Sequence, residues 1–178
     1  MNTFRAAIVV VAILPATAFG QPVVAKPGPE ITKLASQVVG TWSYEGAARA
    51  NPYGPAGKTK GTDVWELGPG GFSVLHRWNE QNPIAPTTGL EVITWDASKK
   101  SLVGSYYSSL GETGGGALTL AGDTYTYPTT GITWEGKPAW SKCTWTFAGA
   151  KTLKVKCDAS PDGKAWMPAV FEGTWTKK

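Results

Sequence analysis

Histidine occurs once in this chain, at His76, and cysteine twice, at Cys143 and Cys157. One imidazole and two thiols fall short of the four ligands of a structural zinc site. A single histidine is a thin basis for holding haem, so no metal and no cofactor is expected. The charged residues make up only 17% and form no dense basic stripe, which argues against nucleic acid. A serine-nucleophile triad would have to use His76, yet no Gly-x-Ser-x-Gly elbow exists. The GKT at 57–59 resembles the end of a phosphate-binding loop, but Pro52 stands where the first glycine belongs. The glycines of 68–71 and 114–116 read as turn or strand-edge residues. No apolar run is long enough to span a bilayer, because the longest candidate, 6–14, is far too short.

That short run has another reading. Arg5 precedes it, and small residues, Ala18 and Gly20, follow it. A positive start, an apolar stretch and a small-x-small site describe a secretory signal over 1–20, cleaved after about Gly20. No cysteine lies near that site to carry a lipid anchor. The expected location is secreted or periplasmic, in a bacterium. About 158 of the 178 residues would remain, enough for one domain with a core. They divide into a proline-rich flexible leader, 21–29, and a domain over 30–178. An oxidising compartment suits one disulfide; two free buried thiols are the alternative.

What the chain has in quantity is aromatic: nine Trp, six Tyr and five Phe. Such residues favour strands and bury large areas. Two segments carry the clearest pattern. Residues 143–147 (CTWTF) and 153–157 (LKVKC) both alternate apolar with polar. Folded back around Ala150, they oppose Phe147 to Leu153, Trp145 to Val155 and Cys143 to Cys157. One register thus gathers the large apolar groups on one face and sets the sulfurs opposite each other, close enough for a disulfide.

The same period runs through most of the chain. Ile31, Leu34, Ala35 and Val38 fall at helical spacing after Pro29 and predict a short helix. Strand-like runs follow near 40–47, 61–67, 72–79, 89–95, 102–108, 115–121, 124–134, 139–148, 152–158 and 165–176. Gly, Pro, Asp or Ser bounds each, the pattern of an all-β sandwich or barrel. Around GPGG at 68–71, Leu67 is expected to meet Phe72, Trp65 to meet Val74, and Asp63 to meet His76, with Trp78 on the same face. Around Gly122 and Asp123, Leu120 should meet Tyr125 and Leu118 should meet Tyr127. Neighbouring hairpins make an antiparallel up-and-down meander, and closing it removes exposed edges.

The VGTW at 39–42, opening the first strand after a short helix, resembles the Gly-x-Trp start of lipocalins and fatty-acid-binding proteins. With GPGGF at 68–72, VITWD at 92–96, GDT at 122–124, GK at 136–137, DGKAW at 162–166 and EGT at 172–174, the chain resembles a bacterial domain-of-unknown-function family of the calycin (lipocalin-like) group. The resemblance implies a single calycin-like barrel of about 8–10 strands with an internal cavity. It supplies no activity and no functional residues. Lipocalins usually set an arginine from the last strand against that tryptophan; here only Lys177 and Lys178 stand there.

Three functions are then open. A binding barrel would take a small apolar or amphipathic molecule among Trp65, His76, Trp78, Tyr125, Tyr127 and Trp145. Arg49, Lys58, Lys60 and Arg77 would then ring its mouth for an anionic head group. An enzyme would use His76 and Asp63 as an acid–base pair, a carboxylate orienting an imidazole. A solid barrel would act as an envelope interaction module through an exposed patch at Trp134 and Trp140. The domain is expected to be a monomer, or at most a weak dimer.

Overall fold

The computed structural model describes residues 26–51, 53–133 and 135–178. The expected signal segment and most of the leader lie outside them, as does Trp134. Helix α1 (Pro29–Val38) leads into ten strands: β1 (Gly40–Ala48), β2 (Gly57–Leu67), β3 (Ser73–Gln81), β4 (Pro86–Asp96), β5 (Ser101–Ser108), β6 (Thr113–Ala121), β7 (Thr124–Ile132), β8 (Pro138–Phe147), β9 (Thr152–Ser160) and β10 (Met167–Lys177). Each strand pairs antiparallel with its neighbours in sequence, and β1 pairs with β10 to close the barrel. The all-β meander read from the two-residue period is the fold observed. Among the described residues no helix is long and apolar enough to cross a membrane.

Alternation sets which side chains point inward. On β8 and β9 the opposed pairs are Phe147 with Leu153, Trp145 with Val155, and Cys143 with Cys157, as the sequence pattern requires. A disulfide joins the two cysteines across the ladder. Leu120 opposes Tyr125 on β6 and β7, also as expected.

The β2–β3 hairpin differs. Trp65 opposes His76, Asp63 opposes Trp78 and Leu67 opposes Val74, a register displaced by two residues. The cause lies in the turn. Pro69–Gly71 forms a 3-10 turn with positive φ at Gly70 and Gly71, and the Gly68 amide donates to the Ser73 carbonyl. Phe72 is thereby kept in the loop, 44% exposed, instead of pairing with Leu67. An even displacement leaves every other side chain on its expected face.

One end of the barrel is filled and the other carries the long loops. Pro at the first position starts α1, whose stripe of Ile31, Leu34, Ala35 and Val38 is buried. This stripe packs against Trp42, Val74, Ile93, Leu102, Leu118, Tyr125 and Leu153, all near strand ends on one side. Fully burying a Leu or Val contributes roughly 1.5–3 kcal/mol each. The Trp42 indole donates to the Val38 carbonyl at 2.7 Å, tying the helix end to the first strand. The described residues of the connections at the opposite end, 49–51, 53–56, 82–85, 109–112, 133, 135–137 and 161–166, form its rim.

Candidate functional site

His76 lies between two carboxylates inside the barrel. Its Nδ1 is 3.2 Å from Glu91 Oε2, the residue directly across the β3–β4 ladder. Its Nε2 is 3.1 Å from Asp63 Oδ2, diagonal to it across β2–β3. The second contact is an ion pair lying off the N–H axis and not an aligned hydrogen bond. Trp65, directly opposite on β2, stacks flat on the imidazole with ring centres 3.7 Å apart and planes 3° apart. The Trp175 indole donates to Asp63 Oδ2 at 2.6 Å. Trp175 in turn stacks on Tyr44 at 4.4 Å, and the Tyr44 hydroxyl donates to Glu80.

Charge follows from this packing. Burial is the largest single influence on His76 and disfavours its imidazolium. The hydrogen-bonding contacts and charges of Asp63 and Glu91 together outweigh it and raise the pKa to about 9. His76 is therefore an imidazolium at neutral pH, clamped by two carboxylates. Burial first, then the charge of Glu91, pushes the Tyr127 phenol far above its ordinary value.

These side chains surround a cavity of about 270 Å³. Asp63, His76, Glu91 and Tyr127 line it together with Tyr44, Trp78, Glu80, Tyr106, Trp145 and Trp175. Asp63 Oδ1, Glu91 Oε1 and the Tyr127 hydroxyl are buried and form no well-aligned hydrogen bond, although Tyr127 and Glu91 lie close enough to act on each other. Buried polar atoms are normally satisfied, so each such atom points to something that would complete it. Gly104 on β5 makes room for two of these side chains: a Cβ there would stand 2.3 Å from the Tyr127 hydroxyl and 3.0 Å from Glu91 Oε1. A second space of about 420 Å³ lies toward the rim and shares Tyr44, Glu80 and Trp175 with the first. Glu112, Leu110, Phe171 and rim residues such as Asn51 and Ile84 complete it. Burial, reinforced by the charge of Glu80, raises the Glu112 pKa despite a hydrogen bond from Ser108.

Of the residues singled out in the sequence, His76, Trp78, Tyr127 and Trp145 line the inner cavity, and Asp63 meets His76 there. Trp65 stands behind the imidazole. Tyr125 is elsewhere, fully buried against α1, with its hydroxyl donating to Gln37 at 2.6 Å. Of the four basic residues, Arg49 stands exposed in the rim connection after β1, and the other three do not ring a mouth for an anion. Lys58 and Lys60 are exposed, facing outward between the inward Thr59, Gly61 and Asp63, while Arg77 pairs with Glu66 on the outer surface. The alternation of β2 and β3 forces this, because each basic residue is one position from an inward one. Trp140 is half-buried. Among the described residues no group of three or more His, Cys, Asp or Glu side chains is arranged to hold a metal ion.

Sequence reasoning missed Glu91, Glu80, Tyr44, Tyr106, Glu112 and Trp175. A signal for the first two existed. Glu91 shares the inward period of Ile93, and Glu80 shares that of His76 and Trp78. A carboxylate in phase with core residues has to be accounted for.

Fold and site together define a closed ten-stranded barrel holding an acidic, aromatic cavity around one histidine. The chain belongs to the family described as "Protein of unknown function (DUF1579)", which matches residues 26–177. No curated protein matches it. Among solved structures it is similar to Rv2717c from M. tuberculosis, with a TM-score of 0.63 and 11% identity over 86% of this chain and 99% of that one. That likeness is one of fold. A de novo designed fluorescence-activating β-barrel is a more distant likeness, with a TM-score of 0.43 and 13% identity over 81% of this chain and 97% of that one.

Proposed function

We propose that the protein is an exported barrel that binds a small, mostly apolar molecule in its inner cavity. The observation that carries this is an aromatic-lined space bounded by Asp63, Glu91 and Tyr127, each with a buried oxygen that forms no well-aligned hydrogen bond. A packed core would exclude such atoms or pair them. Apolar walls would supply burial, and Asp63, His76, Glu91 and Tyr127 would orient the ligand. Export is favoured by the disulfide and by the signal-like start of the chain. Titrating the intrinsic tryptophan fluorescence with chemically diverse apolar compounds tests binding, since Trp78, Trp145 and Trp175 line the cavity. Saturable quenching is expected, and a flat response across the panel would sink the reading. Intact mass of the exported protein tests the location; a chain starting near Gln21 is expected.

A second reading, acid–base catalysis, is favoured by one contact: His76 meets Asp63 within 3.1 Å at the cavity wall. With its pKa raised to about 9, His76 would serve as a general acid before it served as a base.

A further inference from the structure

The two chambers are acidic although the chain carries a formal net charge of +4. Asp63, Glu80, Glu91 and Glu112 contribute to their walls, and neither lysine nor arginine does. Among the described wall residues the one cation is His76, already engaged by two of those four carboxylates. Glu80 and Glu112 have no basic partner among the wall residues; they accept from the neutral donors Tyr44, Asn82 and Ser108. The exposed lysines of the barrel strands, such as Lys58, Lys60, Lys154 and Lys156, point outward. The interior field is thus set against the exterior one.

A second observation is independent of net charge. Asp63 is 2% exposed and Glu91 4%, yet Asp63 Oδ1 and Glu91 Oε1 form no well-aligned hydrogen bond. A carboxylate oxygen is an acceptor only, so what completes it must carry N–H or O–H donors. A third is the aromatic wall. Tyr44, Trp78, Trp145 and Trp175 face the same space, and aromatic faces attract cations while burying apolar carbon. An anionic head group in the inner cavity would face these carboxylates with no lysine or arginine among the described wall residues to meet it.

We infer that the ligand is a small organic cation, a protonated amine with an aromatic or apolar body. Its ammonium group lies against Glu80, with Asp63 and Glu91 beside it, and its body lies on the tryptophan wall. This rests on the binding reading above and narrows it to one charge and one donor chemistry.

Three probes of similar shape test the inference on the full mature protein by calorimetry: 2-phenylethylammonium, the neutral propylbenzene and the anionic 3-phenylpropanoate. The ammonium probe is expected to bind at least tenfold more tightly than either of the others. Glu91→Gln and Glu80→Gln should each weaken it at least fivefold and leave propylbenzene within twofold. Glu80→Gln decides the matter if Glu91→Gln does not fold, because Glu80 is less buried. Equal or tighter binding of propylbenzene or 3-phenylpropanoate overturns the cation inference while the binding reading stands. So does an ammonium preference that survives both substitutions. Failure of all three probes, where the broader apolar panel still quenches fluorescence, removes the inference alone; failure of the panel as well removes both.

Discussion

His76 and Glu91 face each other directly across the β3–β4 ladder, with Nδ1 and Oε2 3.2 Å apart. This one cross-strand pair places a charge-assisted contact inside the barrel, where Trp65 covers one face of the imidazole. It also makes the site readable in solution, because the chain has a single histidine.

The imidazole Cε1–H resonance of His76 should titrate with a midpoint near 9, well above the ordinary value of 6.5. The consequence for stability has a definite sign. A group whose pKa is raised on folding contributes stability that is fully present below its unfolded pKa and lost as pH rises through the folded one. The His76 contribution should therefore be complete below about pH 6.5 and disappear through about pH 9. Urea unfolding of the wild type and of His76→Gln across pH 5–10 isolates it. The difference between the two should shrink by roughly 2–3 kcal/mol toward the alkaline end. A difference independent of pH would refute the clamped imidazolium.

Gly104→Ala tests the cavity by displacing two of its wall residues. Its Cβ would meet the Tyr127 hydroxyl at 2.3 Å and Glu91 Oε1 at 3.0 Å. Overpacking of this kind costs about 1–3 kcal/mol. Ligand binding should fall by tenfold or more while the far-ultraviolet spectrum is kept. Unchanged affinity with a measured loss of stability would move the ligand out of the inner cavity.

Tyr125 and Tyr127 stand two positions apart on β7 and should behave oppositely. The Tyr125 hydroxyl donates to Gln37 at 2.6 Å, so Tyr125→Phe should cost about 1 kcal/mol and leave binding unaltered. The Tyr127 hydroxyl has no well-aligned hydrogen bond, only its approach to Glu91, so Tyr127→Phe should cost less in stability than Tyr125→Phe and should weaken binding. Thermal melting and fluorescence titration of the two variants separate these outcomes.

The Cys143–Cys157 bond closes a loop spanning 14 residues. Replacing both cysteines by serine should lower stability by about 3 kcal/mol, and reductant should reproduce the loss in the wild type. The free-thiol reading is tested by alkylating the native protein, which should take up no label without reduction.

The strand count, the meander, the helix and the β8–β9 register were all legible because each rests on local periodicity. Pairs such as Trp145 with Val155 follow from alternation alone. The β2–β3 register was misread by two, because a turn with two positive-φ glycines leaves Phe72 outside the ladder. Face assignments survived, so Asp63, His76 and Trp78 came out inward as expected. Tyr125 also faces inward, but α1 fills that end of the barrel, and inwardness does not say at which level the cavity lies.

Sequence by itself determined which residues look into the barrel, because a strand alternates its side chains whatever its neighbours do. Only the tertiary structure decided that Glu91 meets His76, that Trp175 meets Asp63 over 112 positions, and that the interior is acidic. Those contacts depend on ring closure and on each ladder's stagger, which bring distant strands to one level. No local pattern encodes that level.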